Sequence, residues 1–207
     1  MLRFELAIFI TLALGGDAAP SFEDFLYSIN TTQKIWTLQR NYTVATNSVE
    51  HECLFAKNVK LTRQDYEFTQ NFTVGTTRLQ TRLYAKLGED QEGPYMKVGH
   101  KKGTEELKYT LRDWYLHDRC GVMTFQGIPP AASSRRTQGK GVPSQAFIGC
   151  ELLVWDQHID GPMDDCINMY NRICLGQSHK VYWMATCRLL GKYNTKAPTE
   201  TDKEEGC

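Results

Sequence analysis

The chain has 207 residues, and its 24 basic and 24 acidic side chains give a formal net charge of zero and a pI of about 6.9. This balance excludes strong bulk attraction to nucleic acid or to an anionic membrane, so we expect neither as a partner. The length suits one domain with one hydrophobic core.

The N-terminus has the pattern of a secretory signal peptide. Arg3 supplies a positive start, Leu6–Leu14 is an apolar run of nine residues, and small residues follow it. Such a run is too short to cross a bilayer, which needs about 20 residues. We therefore expect a signal peptide over residues 1–19, a domain over residues 20–192 and a polar, disordered tail over residues 193–207.

Sequons and cysteines agree with an extracellular location. Three Asn-x-Thr sequons begin at Asn30, Asn41 and Asn71, and each is a predicted glycosylation site on the surface. Seven cysteines behind a signal peptide indicate disulfides. The chain has no His-Glu-x-x-His, Cys-x-x-Cys or Gly-x-Ser-x-Gly motif. We therefore predict no metal, no cofactor and no enzymatic activity.

A short helix and a series of strands are predicted in the first two thirds of the domain. The helix begins at Ser21, whose spacing to Asp24 fits a capping box. Frequent Val, Tyr, Phe and Thr residues, interrupted by turn residues, then predict strands. The eight candidates are Lys34–Tyr42, Cys53–Leu61, Tyr66–Val74, Arg78–Leu87, Tyr95–His100, Glu106–Asp113, Cys120–Phe125 and Phe147–Trp155. The Pro-, Gly- and Ser-rich stretch Gly127–Ser144 is predicted to be a long exposed loop.

A second helix is predicted after the strands. Asp160 or Gly161 can cap it, Pro162 suits its first position, and Gly176 can end it. Lys180–Cys187 is predicted to be one further strand. Eight strands joined mostly by tight turns, with a helix at each end, predict an all-β fold, an eight-stranded antiparallel barrel that can hold one small ligand. A β-sandwich is the alternative, because strand counts alone do not separate the two.

Several motifs, taken in order, resemble the tick salivary lipocalins, a family that includes the histamine-binding proteins. The motifs are Arg40-Asn41-Tyr42 after Trp36, Cys120-Gly121-Val122, Cys150-Glu151-Leu152-Leu153-Val154-Trp155, and the segment from Asp165-Cys166 to Cys187. The resemblance covers about residues 21–190. It implies a lipocalin barrel with an attached C-terminal helix, secreted in saliva. It also implies that the protein scavenges a host inflammatory mediator such as histamine, serotonin or a leukotriene.

The same resemblance implies a set of disulfides. The pairs are Cys53–Cys187, Cys120–Cys166 and Cys150–Cys174. Cys207 is then left over in an otherwise monomeric protein, and it is either an unpaired thiol or a site of intermolecular bonding. Lipocalins commonly stack a basic residue on the tryptophan of the first strand. We therefore expect Trp36 to pack at the barrel floor with Arg40 over it.

Alternation of side chains along strands predicts which residues line the barrel. A glycan on Asn71 would place Phe68 and Phe72 inside, and an outward Cys150 would place Glu151 and Trp155 inside. On the sixth candidate strand, every second residue is apolar, and these apolar residues are predicted to face inward. The predicted ligand contacts are Glu151, Trp155, Tyr109, Phe68, Phe72, Leu107 and Arg112. Alternatively, the aromatic residues simply fill the barrel, and an internal Arg or Tyr, or water at the mouth, satisfies Glu151.

The interior residues bear on the ligand class. Glu151 among aromatic rings could act as the counter-ion of a bound amine. However, the histamine-binding members read Cys-Asp-Val where this chain has Cys120-Gly121-Val122, so one inward carboxylate is missing. With one Glu, several aromatics and basic candidates at Arg82 and Arg112, the interior favours an eicosanoid or other lipid slightly over a biogenic amine. Inhibition of a host protein through a surface loop such as Gly127–Ser144 is a further possibility.

Overall fold

The computed structural model describes residues 19–104, 107–127 and 148–189. The predicted signal peptide apart from Ala19, the predicted tail, and the predicted long loop apart from Gly127 lie outside these residues. The elements in chain order are α1 (Phe22–Ile29), β1 (Ile35–Arg40), β2 (Ala45–Thr46), β3 (Val49–Leu61), β4 (Asp65–Val74), β5 (Thr77–Asp90), β6 (Gly93–Gly99), β7 (Leu107–Tyr115), β8 (Cys120–Gln126), β9 (Ile148–Trp155), α2 (Asp164–Ile173), β10 (His179–Lys180) and α3 (Met184–Leu189). No helix within the described residues is long and apolar enough to span a membrane.

Eight long antiparallel strands form a closed barrel. They follow one another in the order β3 to β9, and β1 pairs with both β9 and β3 and so closes the sheet. The prediction of an eight-stranded antiparallel barrel is confirmed, and the β-sandwich alternative is excluded. The short strands β2 and β10 extend this sheet at its two ends. Closure leaves the long strands no free edge, and their alternating side chains separate into an inner and an outer layer.

Helix α1 covers one end of the barrel. The predicted capping box is confirmed: the Asp24 backbone N–H donates to the Ser21 hydroxyl at 3.1 Å, and the Ser21 backbone N–H donates to the Asp24 carboxylate at 2.8 Å. The apolar side of α1 packs inward, where Phe25 belongs to the same cluster as Ile35, Tyr66 and Leu111. The indole N–H of Trp155 donates to the Ser28 carbonyl at 2.9 Å and ties α1 to β9.

A second core lies outside the barrel wall, beneath the C-terminal segment. Outward residues of β8 and β9 pack against Met169 and Tyr170 of α2. Three disulfides join this layer to the wall, and they are the pairs that the family resemblance implies: Cys53–Cys187, Cys120–Cys166 and Cys150–Cys174. Together they fasten α2 and α3 to strands β3, β8 and β9, and they are consistent with an extracellular protein.

Trp36 lies in this outer core and not at the barrel floor as expected. Its ring contacts Tyr182 with centroids 4.9 Å apart, and its indole N–H donates to Asp156 at 2.5 Å. Lys34 and Arg188 lie over the ring, at 4.9 and 6.0 Å from its centroid. The expected stacking of Arg40 on Trp36 is therefore wrong, because the Arg40 side chain is on the other side of the wall.

The C-terminal elements differ from their predictions. Helix α2 begins at Asp164 and not at Pro162, and its N-cap is Met163. Gly161 lies in the preceding turn, where its N–H donates to the His158 carbonyl at 3.0 Å. The predicted strand Lys180–Cys187 is wrong. Pairing with β1 ends at Lys180, where the N–H groups of Val181 and Tyr182 both turn to the Leu38 carbonyl, and α3 follows.

Candidate ligand-binding site

A polar cluster lies on the inner face of the barrel, at the end opposite α1. Arg40, the last residue of β1, is paired with Glu151 near the start of β9. The register between these strands shifts by one residue at Leu38, which forms a β-bulge. Strict alternation would place Arg40 outside with Trp36. The bulge instead turns Arg40 inward, beside Glu151.

Glu151 already has a hydrogen-bond donor within the protein. Its side chain accepts a hydrogen bond from the Tyr42 hydroxyl, and only 8 % of the residue is exposed. Burial raises the pKa of the Glu151 carboxyl, while the Tyr42 hydrogen bond and the Arg40 charge oppose the rise. Burial, together with the Glu151 charge, also raises the pKa of Tyr42 well above its ordinary value, so Tyr42 stays a protonated donor.

Arg40 is the most deeply buried charged residue of the cluster. It is 1 % exposed, and one terminal nitrogen donates to the His51 carbonyl at 3.1 Å. Its guanidinium carbon lies 5.0 Å from the centroid of the Tyr42 ring. The Nε–H group has no hydrogen-bond partner among the described residues. Because a buried donor without an acceptor is costly, this N–H marks a place where a ligand oxygen would be stabilising.

Aromatic rings surround the polar cluster. Phe125 contacts Tyr42 and Tyr109, with ring centroids 5.3 and 4.9 Å apart. The Phe125 ring also covers Gly149 on the neighbouring strand, where an added Cβ would lie 2.1 Å from the ring. On the other side of the barrel, Phe72 stacks on the His51 ring at 4.4 Å. Burial lowers the pKa of His51, which favours the neutral imidazole next to Arg40.

The half of the interior that faces α1 is mainly apolar. Tyr66 and Phe68 stack there with centroids 4.7 Å apart, near Leu83 and Met96. The indole of Trp114 fills the space above Gly121, since a Cβ on Gly121 would come within 2.7 Å of this ring. A bulge between Leu111 and Asp113 lets Trp114 point inward. The space that a side chain at position 121 would need is therefore occupied by an aromatic ring.

The predicted contacts do not form one site. Tyr109 lies close enough to Glu151 for the Glu151 charge to raise the Tyr109 pKa, although burial is the larger cause. Phe72 adjoins the cluster through His51. Phe68 and Leu107 lie elsewhere on the inner face, Phe68 in the α1 half and Leu107 opposite Val98. Trp155 is four residues beyond Glu151, which is roughly 13 Å along a strand, so it cannot share a cation with Glu151.

Arg112 and Arg82 are not part of the interior. Arg112 is the extra residue of the β7 bulge, and its guanidinium donates to Thr124 Oγ1 at 2.6 Å and to the Glu92 carbonyl at 3.1 Å. Thr124 is opposite Cys150, whose disulfide to α2 fixes this face as the outer one. Arg82 is exposed and pairs with Glu67 at 2.6 Å. The prediction that Arg112 lines the barrel interior and contacts the ligand there is therefore wrong.

Arg40 and Tyr42 are functional candidates that the sequence-based reasoning missed as interior residues. Both belong to the Arg40-Asn41-Tyr42 motif that carried the family resemblance, and this was the available signal. Together with Glu151 they form a hydrogen-bonded and charged cluster within an aromatic wall, which suits binding and orienting the head group of a small molecule. Among the described residues, no group of three or more His, Cys, Asp or Glu side chains could hold a metal ion.

Comparisons with known proteins add a fold likeness. No family model matches the chain, and no curated protein matches it significantly in sequence. Among solved structures, the chain is similar to Japanin from Rhipicephalus appendiculatus bound to cholesterol, with a TM-score of 0.47 and 13% identity, covering 74% of this chain and 94% of that one.

Proposed function

We propose that this chain is a secreted salivary scavenger that binds an eicosanoid or another acidic lipid mediator inside its barrel, without chemistry, and so suppresses host inflammation. The ligand's carboxylate would meet Arg40, and its hydrocarbon chain would extend toward α1. One observation carries the proposal: Arg40 is almost completely buried, and its Nε–H has no partner among the described residues.

The charges of the cluster favour an anionic or neutral head group over a cationic one. Glu151 has a donor in Tyr42 and a cation in Arg40, so a bound ammonium would have to compete with both. Burial also raises the pKa of Glu151 and so favours its neutral form. When Glu151 is neutral, Arg40 leaves the cluster with a net positive charge, which a carboxylate would balance.

The remaining inner face suits a hydrocarbon chain. Between the polar cluster and α1, the apolar side chains come from several strands, and they include Leu83, Ala85 and Met96. Contact of a fatty-acid chain with such a surface removes apolar area from water, at roughly 25 cal/mol per Å². The barrel thus offers a polar end and an apolar half in the order that an amphipathic lipid requires.

The direct test is calorimetric titration of the disulfide-intact protein with ligands that differ in their head group. Arachidonic acid and leukotriene B4 represent the acidic lipids, and methyl arachidonate keeps the chain without the charge. Histamine and serotonin represent the amines, and cholesterol represents an uncharged sterol. We expect arachidonic acid to bind at least tenfold more tightly than its methyl ester, a difference of about 1.4 kcal/mol. Equal affinity for acid and ester would refute recognition of the carboxylate by Arg40.

A matched pair of variants locates the head group. Arg40→Gln removes the buried cation and should weaken arachidonic acid binding by at least tenfold, because a charge-assisted hydrogen bond contributes about 1.5–3 kcal/mol. Arg112→Gln removes a cation of the outer face and should leave the affinity unchanged. Equal losses in the two variants would contradict the assignment. The comparison of acid with ester in the unaltered protein remains decisive if Arg40→Gln folds poorly.

Binding of a biogenic amine is the second candidate, and the aromatic wall around Glu151 is the observation that favours it. Tyr42, Tyr109 and Phe125 could surround an ammonium that has displaced Tyr42 from Glu151. This candidate predicts tight histamine or serotonin binding that Glu151→Gln weakens at least tenfold. Failure of every ligand in the titration would instead favour inhibition of a host protein through surface loops.

A further inference from the structure

The side chain of Asn41 joins three parts of the chain. Its Oδ1 accepts the Cys150 backbone N–H at 2.8 Å. Its Nδ2 donates to the Ile148 carbonyl and to the Leu175 carbonyl, both at 3.0 Å. Only this orientation of the amide places its oxygen against a donor and its nitrogen against two acceptors. Asn41 thus connects the end of β1 to the start of β9 and to the loop after α2.

Asn41 is also the acceptor residue of a sequon, and the two roles conflict. N-glycosylation attaches a sugar to Nδ2 and replaces one of its two hydrogens. In the folded chain both Nδ2 hydrogens point at backbone carbonyls, so a glycosylated Asn41 would lose at least one of these bonds. The sugar would also have to occupy the space between Asn41 and the two carbonyls. A glycan on Asn41 is therefore incompatible with the pair of hydrogen bonds that Nδ2 donates in the folded chain.

The other two sequons have no such conflict. Asn30 follows the last residue of α1, is exposed, and its side chain makes no hydrogen bond with any described residue. Asn71 lies on the outer face of β4, and its Nδ2 contacts only Thr69 of the same strand, at 3.2 Å to Oγ1 and 3.4 Å to the carbonyl. A glycan on either residue would displace no bond between distant parts of the chain.

We propose that the folded, secreted protein is glycosylated at Asn30 and Asn71, while Asn41 is left unmodified and serves as a clamp between β1, β9 and the loop after α2. The clamp partners Ile148 and Leu175 are 107 and 134 residues further along the chain. A chain glycosylated at Asn41 during export could not form the clamp afterwards.

The test is site-by-site glycopeptide mapping of the protein secreted by insect cells. Deamidation by peptide N-glycosidase in ¹⁸O water marks each occupied asparagine by mass. We expect label at Asn30 and Asn71 and none at Asn41 in the monomeric protein. Occupied Asn41 in the folded, monomeric secreted protein would overturn the proposal. Absence of label from both Asn30 and Asn71 would also overturn it.

Two variants separate the sequon from the clamp. Thr43→Ala destroys the sequon and keeps the Asn41 amide, and Thr43 is exposed, so secretion, glycan mass and melting temperature should all be unchanged. Asn41→Asp keeps the acceptor oxygen but sets a second oxygen against two carbonyls, so the melting temperature of unglycosylated protein should fall. A loss of one glycan from Thr43→Ala, or an unchanged melting temperature for Asn41→Asp, would each contradict the proposal.

Discussion

Replacing Gly121 by aspartate would place a carboxylate on the inner face of β8, and it tests how this part of the interior is filled. A Cβ at Gly121 would lie 2.7 Å from Cε3 of Trp114 and 3.0 Å from the Asp113 carbonyl oxygen. Overpacking of this kind costs about 1–3 kcal/mol. An unpaired buried carboxylate adds roughly 3–5 kcal/mol. The sum is comparable with the 5–15 kcal/mol that typically stabilises a domain.

We therefore expect Gly121→Asp to be severely destabilised and to gain no histamine binding. The assay is equilibrium unfolding in urea with the disulfides intact, with Gly121→Ala as the variant that isolates the steric part. Gly121→Ala should lower the free energy of unfolding by about 1–3 kcal/mol. Adding Trp114→Leu should recover part of that loss, with a coupling of at least about 0.5 kcal/mol. An unchanged unfolding free energy for Gly121→Ala, or no coupling to Trp114→Leu, would refute the reasoning.

Two further predictions concern Glu151 and the Cys53–Cys187 disulfide. Since burial raises the folded-state pKa of Glu151 above its ordinary 4.5, its protonated form is the more stabilising one: the contribution is complete below about pH 4.5 and is lost as the pH rises through the folded pKa. The difference in unfolding free energy between Glu151→Gln and the unaltered protein should therefore increase, in favour of the variant, from pH 4.5 to neutral pH. A difference that stays constant in melts at several pH values would contradict this prediction. The paired change Cys53→Ala and Cys187→Ala opens a link between residues 134 positions apart. It should lower the unfolding free energy by about 2–5 kcal/mol in urea titrations, and a loss below 1 kcal/mol would show that α3 is held mainly by its other contacts.

The barrel itself could be predicted from the sequence because its signals are local. Alternating apolar residues and turn residues predict the strands to within a few positions, and the Ser21 capping box marks the first helix. The three disulfide pairs are those that the family resemblance implied, and the sequence alone left their connectivity open. The inward position of Glu151 followed from one outward cysteine, Cys150, because nothing interrupts the alternation of β9 between these neighbours.

The charge partners of the interior could not be predicted in the same way. The bulge at Leu38 brings Arg40 inside, and the bulge at Arg112 keeps that side chain outside and turns Trp114 inward. A bulge in one strand depends on contacts with distant residues, so the sequence of the strand alone does not reveal it. The same holds after α2, where Lys180–Cys187 has the composition of a strand but leaves the ladder at Lys180.

Contacts in the outer layer hold the Leu38 bulge, and the bulge decides whether Arg40 or Gln39 faces the barrel interior. In an uninterrupted ladder Gln39 would face Glu151, and Arg40 would lie outside, opposite Cys150. The carbonyl of the extra residue accepts the N–H groups of both Val181 and Tyr182, so a segment on the far side of the wall holds the bulge in place. Gain or loss of the bulge would thus exchange an inward arginine for an inward glutamine, with every residue type in the strand retained. Sequence alignments of such barrels should therefore place the bulges first and compare charged positions afterwards.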